Sequence, residues 1–131
     1  MDEVLDFLKA NHVYFIATVD GDQPHVRPFG SLNEFEGKLF IATSNTKAVY
    51  QQIIANPKVE MSSMSQNGQW LRLAAKAIPD ERPEVKEDFF ESAPQLKQIY
   101  KDNMDTFTVL CLTEVTASII TTGGETKTFT F

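Results

Sequence analysis

The sequence predicts a mostly β protein, an antiparallel β-barrel with small helices. Short runs rich in β-branched and aromatic residues recur along the chain, beginning with residues 13–19. Strong turn signals separate these runs, among them residues 20–23 and the pair Gly123-Gly124. Many strands at short spacing, joined by hairpin turns, are typical of a closed or nearly closed barrel.

The elements follow one another without repeats, linkers or low-complexity segments. Residues 2–10 place Val4, Leu5 and Leu8 at helical spacing and predict a short amphipathic helix. Asn56-Pro57 ends a second helix, because a residue before proline avoids helical geometry. We expect six or seven strands over residues 13–19, 25–33, 38–43, 58–64, 69–78, 107–122 (long enough to be bent) and 125–131, and further helices over 46–55, 81–91 and 94–103.

Composition excludes several classes of protein. The chain has 131 residues, a net charge of −6 and one cysteine, so it is neither a general nucleic-acid binder nor a disulfide scaffold. No apolar run is long enough to span a membrane, and the N-terminus is too polar for a signal peptide. We therefore expect a soluble, cytosolic protein. Residues 80–105 carry eight acidic and four basic side chains, which we interpret as a solvated helical face.

The loop before the second helix is the first candidate site. Thr43-Ser44-Asn45-Thr46-Lys47 lies between a strand and a helix, and no acidic residue occupies residues 43–50. With Ser44 or Asn45 as the helix cap, Thr46 and Lys47 fall in its first turn, where the helix dipole disfavours a lysine. A cation, several hydroxyls and free amides together suit a phosphate dianion. The alternative is an ordinary capped helix with a solvated lysine.

Two further segments are candidates. Strand alternation places His25, Arg27 and Phe29 on one face, and Pro28 withdraws a hydrogen-bond donor from the ladder. Arg27 can fork onto phosphate oxygens, or it is a surface arginine on an edge strand. Trp70, the one tryptophan, is either a buried structural residue or a wall beside a planar cofactor.

Reactive side chains are scarce. His12, His25 and Cys111 are too few for a convincing metal site, and Cys111 lies in an apolar strand as a core residue. No Ser-His-Asp order or glycosidase-like carboxylate pair is present, so no catalytic residue follows from the sequence. If the protein is an enzyme, a cofactor carries the chemistry.

Three segments in order, residues 15–30, 37–61 and 68–77, resemble the pyridoxamine 5'-phosphate oxidase-like family of FMN-binding split barrels. The similarity covers about residues 4–115 and is greatest to short bacterial members grouped with the nitroimidazole-resistance flavoproteins. It implies a single domain, residues 1–131, folded as a six-stranded antiparallel FMN-binding split barrel. It also implies a homodimer with FMN at the subunit interface.

The resemblance implies roles for individual residues. Arg27 would reach the FMN phosphate and ribityl chain, and Pro28 and Phe29 would meet the edge of the flavin ring. Lys47 would be the phosphate-binding cation, and Trp70 would approach the flavin from the partner subunit. The remaining implied cofactor-binding residues line the strand end and the loop: Ala42, Thr43, Ser44 and Asn45.

Departures from the family limit the function. Ala42 stands where the nitroimidazole-resistance proteins carry a histidine, so a nitroreductase mechanism using that histidine is not expected. Residues 1–131 do not include the C-terminal substrate-binding segment of true pyridoxamine phosphate oxidases, so we do not expect the protein to be one of these enzymes. The resemblance implies an FMN-dependent oxidoreductase that passes electrons from a nicotinamide donor to a small substrate. The alternatives are a non-catalytic flavin-binding or sensing protein and, with only two histidines as ligands, a haem-binding barrel.

Overall fold

A computed structural model describes all residues, Met1–Phe131, and has eight strands in one antiparallel sheet. The strands lie in the order β2-β1-β5-β6-β7-β4-β3, and β8 pairs with the second half of β7. Their bounds are β1 Tyr14–Asp20, β2 Gln23–Phe29, β3 Asn33–Phe35, β4 Lys38–Ser44, β5 Lys58–Met64, β6 Trp70–Asp80, β7 Phe107–Ile120 and β8 Thr126–Thr130. The helices are α1 Asp2–Ala10, α2 Ala48–Ala55, α3 Pro83–Ser92 and α4 Pro94–Ile99, and a 3₁₀ turn, Met104–Thr106, precedes β7.

The sheet wraps around one apolar core. Ile16 of β1 and Ile41 of β4 belong to the same buried cluster, although three strands separate β1 from β4 in the sheet order. The edge strands β2 and β3 do not pair with each other, so the barrel has an open seam. At this seam the Ser31 hydroxyl donates to the Ala42 carbonyl and accepts from the Ala42 amide, at 2.9 and 3.0 Å.

Strand β7 is bent, as its length predicts. Its register against β6 shifts between Ala74 and Lys76, and Glu114 has a φ of +51°. Such a bulge bends a strand and increases its local twist. Before the bulge β7 pairs with β4, and after it β7 pairs with β8. The first half of β7 therefore belongs to the barrel next to β4, and its second half forms the C-terminal hairpin with β8.

A second apolar cluster holds the helical insert against the barrel. Val85 and Phe89 of α3 are fully buried against β4 and β7, including Phe107 and Cys111. The Asn33 amide donates to the Asp88 carboxylate at 2.8 Å and fixes the same helix from β3. Helix α4, by contrast, has no buried residue. None of the helices has the length and apolar character that crossing a lipid bilayer requires.

The mostly β fold with small helices is confirmed, but six was the wrong number of strands. The segment 25–33 does not form one strand, because β2 ends at Phe29 where its pairing with β1 ends, and the chain next pairs with β4 as β3, Asn33–Phe35. Helix α4 ends at Ile99 rather than at residue 103, since Tyr100 to Asn103 closes a separate turn through the hydrogen bond from the Asn103 amide to the Tyr100 carbonyl.

Candidate functional site

A cavity of about 690 Å³ opens beside the seam, between the β2–β3 connection and the helices α2 and α4. Its walls carry two cations and no carboxylate, although the chain as a whole has a net charge of −6. The sequence-predicted residues that line it are Arg27, Pro28, Phe29, Ala42, Thr43 and Lys47. The cavity therefore favours an anionic ligand on electrostatic grounds.

The loop before α2 differs from its expected form. The helix begins at Ala48 with Lys47 as its N-cap in an extended conformation, and no side chain caps it. The expectation that Ser44 or Asn45 caps the helix, with Thr46 and Lys47 inside its first turn, is wrong. The Ser44 hydroxyl instead contacts the Thr46 amide and hydroxyl, at 3.2 and 2.7 Å, and holds a separate turn.

This turn leaves the start of α2 available to a ligand. Ala48 and Val49 begin the helix and line the cavity, and the first amides of a helix have no partner inside it. Lys47 is exposed and forms no ion pair. With no acidic residue in the first turn, the positive end of the helix dipole adds to the charge of Lys47.

Arg27 faces the same cavity from the edge strand β2. It pairs with Ile16 in the β1–β2 register, and so shares the inward face with Phe29, which pairs with Tyr14. Its guanidinium donates from Nη1 to the Thr18 hydroxyl and from Nη2 to Gln52 Oε1, both at 2.8 Å. Partial burial lowers the pKa of Arg27, but an arginine stays protonated at neutral pH.

Thr43 carries an unusual group for a protein interior. Its hydroxyl oxygen is buried and has no hydrogen-bond partner, and it is the one side-chain atom of the chain in this condition. The residue itself is 4% exposed and lines the cavity. An unpaired buried hydroxyl costs about 1–3 kcal/mol, so a polar ligand that reaches it would recover this cost.

Three of the candidate residues do not line the cavity of the single chain. Ser44 is buried beneath the turn, and Asn45 bonds to the backbone carbonyls of Asp105 and Thr106. Trp70 lies half-buried at the start of β6, with the Arg72 guanidinium 5.2 Å from its ring centre. Ser44 and Asn45 shape the loop, whereas Trp70 belongs to the outer face of the sheet.

One wall of the cavity was not predicted from the sequence. Residues of α4 and its flanks, Ser92, Ala93, Gln95, Leu96, Ile99 and Tyr100, line the side opposite β2. This region was interpreted as a solvated acidic face. Leu96, Ile99 and Tyr100 are spaced three and four residues apart, which is the signal that could have indicated an apolar face.

Neither histidine lies on the cavity. His12 and His25 are exposed, and no three His, Cys, Asp or Glu side chains converge as metal ligands. Cys111 is buried and unpaired, as expected, and burial raises its pKa. Among the cavity-lining residues, the titratable groups are therefore Arg27, Lys47 and Tyr100, and burial raises the pKa of Tyr100.

Comparisons with known proteins agree with this architecture. The family model described as pyridoxamine 5'-phosphate oxidase matches residues 1–119. A NimC/NimA family protein from Clostridium acetobutylicum is 46% identical, with a TM-score of 0.95, over 100% of this chain and 92% of that one. A search of curated proteins gave no match.

More distant structures share the fold alone. General Stress Protein 26 from Bacillus anthracis is 15% identical with a TM-score of 0.74, over 98% of this chain and 97% of that one. A heme binding protein from Mycobacterium smegmatis is 15% identical with a TM-score of 0.75, over 93% of this chain but 54% of its own length. The family-model match, together with the identity to the NimC/NimA protein, shows that the chain belongs to the pyridoxamine 5'-phosphate oxidase-like family of split barrels.

Proposed function

We propose that the protein binds FMN in this cavity and acts as an FMN-dependent oxidoreductase. The observation that carries the proposal is the convergence of Arg27, Lys47 and the unpaired Thr43 hydroxyl on one cavity without a carboxylate. A dianionic phosphate joined to a polar chain fits these groups, because cations, free helix amides and a buried hydroxyl are the donors it needs. A volume of about 690 Å³ lies within the range of cofactor sites.

The chain's own residues would bind and orient the cofactor. Arg27 and Lys47 would neutralise the phosphate, Thr43 would donate to the ribityl chain or phosphate, and Phe29 with Pro28 would bound the ring. Ser44 and Asn45 hold the loop in shape through contacts with Thr46 and with the 3₁₀ turn. Bound FMN would supply hydride or electron transfer, which none of the lining side chains provides.

The partner subunit would complete the site. The outer face of the sheet, which carries Trp70, exposes apolar side chains that a monomer in water does not need. A homodimer that buries this face would bring Trp70 of one protomer toward the cavity of the other. The family and the exposed apolar residues support this proposal, and the cytosol remains its predicted location.

The first experiment tests the cations. The double variant Arg27→Ala, Lys47→Ala should fold but purify without flavin colour, since each cation contributes about 1.5–3 kcal/mol through charge-assisted hydrogen bonds. Absorbance at the flavin bands and the mass of the released ligand give the occupancy. The double variant Lys9→Ala, Lys38→Ala removes two exposed cations that do not line the cavity and should keep the yellow colour. A yellow Arg27, Lys47 double variant at full occupancy would show that these cations do not hold the cofactor.

The second experiment separates catalysis from binding alone. Anaerobic NADH or NADPH should bleach the yellow protein if it accepts electrons from a nicotinamide. Persistent colour with both donors would favour a non-catalytic flavin-binding or sensing protein. The visible spectrum of the purified protein also distinguishes flavin from haem, for which no histidine of the chain lies on the cavity.

A further inference from the structure

Gln52 forms side-chain hydrogen bonds with Arg27 and Thr18 that its position in the sequence does not indicate. It lies on α2, five residues after Lys47, and does not line the cavity. Its side-chain oxygen accepts hydrogen bonds from Arg27 Nη2, at 2.8 Å, and from the Thr18 hydroxyl, at 2.5 Å. The Thr18 hydroxyl also accepts from Arg27 Nη1 at 2.8 Å. The three side chains therefore form a closed ring of hydrogen bonds.

This ring of hydrogen bonds fixes the orientation of the Arg27 guanidinium. Thr18 is completely buried, so its hydroxyl is a rigid anchor, and the Ile16 carbonyl accepts a further bond from Nη1 at 3.3 Å. Both Nη atoms thus donate hydrogen bonds within the protein, while the Nε hydrogen makes none. A planar, always charged fork held in this way loses little conformational freedom when an anion binds.

The charges around Arg27 set it apart from the other arginines. The chain has three arginines, and Arg72 and Arg82 both form ion pairs with carboxylates, at 3.1 Å to Glu60 and 2.7 Å to Glu36. All partners of Arg27 are neutral: two side chains and two backbone carbonyls. A glutamate at position 52 would orient the guanidinium equally well but would cancel its charge. The amide of Gln52 orients Arg27 and leaves the charge intact.

We propose that Gln52, together with Thr18, is the positioning residue that presents an uncompensated Arg27 guanidinium to the cavity. The preference for a phosphorylated flavin over riboflavin depends on it. This inference rests on the proposed FMN site. Gln52 acts through Arg27, and it touches neither the cofactor nor the substrate.

The test compares FMN with riboflavin, which lacks the phosphate. Flavin-free protein is titrated with each ligand, and quenching of flavin fluorescence gives both dissociation constants. Gln52→Leu should weaken FMN binding about tenfold, the effect of losing a hydrogen bond to a charged group, and leave riboflavin binding within about twofold. Gln52→Glu should weaken FMN binding at least as much, although it keeps the acceptor oxygen.

The matched control is Gln23→Leu, an exposed glutamine four residues from Arg27 on the same strand, which should bind both flavins as the wild type does. Circular dichroism and thermal melting verify folding, and Gln52→Asn, whose amide is one methylene shorter, replaces the leucine variant if that variant unfolds. Equal losses for FMN and riboflavin, or wild-type FMN affinity in Gln52→Glu, would overturn the positioning role. A wild type that binds neither flavin would instead overturn the proposed function itself.

Discussion

The unpaired hydroxyl of Thr43 is available to a ligand but lowers the stability of the ligand-free protein. Its hydroxyl is buried beside the cavity with no partner, whereas the neighbouring polar residues Ser31 and Ser44 are satisfied by backbone or side-chain contacts. Polar atoms in this condition are rare in folded proteins because they lose water without gaining a bond. The free chain carries this cost, and a ligand that bonds to the hydroxyl removes it.

Replacing Thr43 with valine should separate stability from binding. The valine keeps the shape and removes the unpaired oxygen, so the free energy of unfolding of the flavin-free protein should rise by about 1 kcal/mol. FMN binding should weaken, because the cavity loses a donor. Urea unfolding of the flavin-free protein and flavin titration measure the two effects. Thr108→Val, a buried threonine whose hydroxyl has a backbone partner and does not line the cavity, is the control. A less stable Thr43→Val protein would contradict the prediction.

At the residue scale, the sequence indicated the charged groups but not the groups that position them. Lys47 and Arg27 were recognisable because a cation at a helix start and an arginine beside a strand proline are locally unusual. Gln52 was not, since it meets Arg27 across 25 residues of chain. Nothing in the sequence shows that the Thr43 hydroxyl lacks a partner, because this depends on the packing of β4 against β7 and α2.

At the scale of elements, the two helices of the insert have different roles. Helix α3 buries Val85 and Phe89 in the second cluster, where Phe89 meets the Phe107 ring edge to face at 6.0 Å. Helix α4 buries nothing, and its Ile99 is 68% exposed at the cavity wall. We infer that α3 attaches the α3–α4 segment to the barrel. Helix α4 lines the cavity but contributes little to stability.

Two alanine substitutions should distinguish these roles. Phe89→Ala should lower the free energy of unfolding by about 3–5 kcal/mol, because it opens a cavity in a fully buried cluster. Ile99→Ala should change it by no more than about 0.5 kcal/mol, as an exposed side chain contributes little. Chemical denaturation of both variants provides the comparison. Similar losses in the two variants would show that α4 is also part of the folding core.

Most helices and strands were predictable because their periodicity and turn residues agree with the fold. The exceptions occur where tertiary contacts decide. The bonds between Ser31 and Ala42 lie where one expected strand divides into β2 and β3. The bonds of Ser44 with Thr46 delay α2 until Ala48. In both places a serine side chain replaces a backbone hydrogen bond, and residue patterns do not reveal which of the two forms.

At the scale of the whole molecule, the outer face of the sheet is the strongest indication of a partner. Phe15, Val26, Met64 and Trp70 share this face by strand register, and Val26 and Met64 are 66% and 67% exposed. Exposed apolar side chains grouped on one face of a sheet typically mark an interface, and the Arg72–Glu60 ion pair lies among them. It is the surface that the proposed homodimer would bury.

The double variant Val26→Lys, Met64→Lys should convert the dimer to a monomer, because two lysines would then be buried without partners. Sedimentation velocity at micromolar protein measures the change. Ile54→Lys adds a charge at an isoleucine that is 51% exposed on α2, away from this face, and should leave the dimer intact. The proposed dimer would be wrong if the wild type sedimented as a monomer or if the double variant remained a dimer.

Beside the open seam between β2 and β3, part of the cavity lining is held by side-chain hydrogen bonds. Where a closed barrel would have a backbone ladder, this one has the Ser31 side chain bonded to both polar groups of Ala42, and the Tyr14 hydroxyl holding the Ser31 carbonyl at 2.6 Å. Side-chain bonds can break singly, whereas a ladder opens cooperatively. Local opening of the barrel should therefore begin here, next to the bound ligand. Hydrogen exchange of the Ala42 amide with solvent would measure the frequency of this opening.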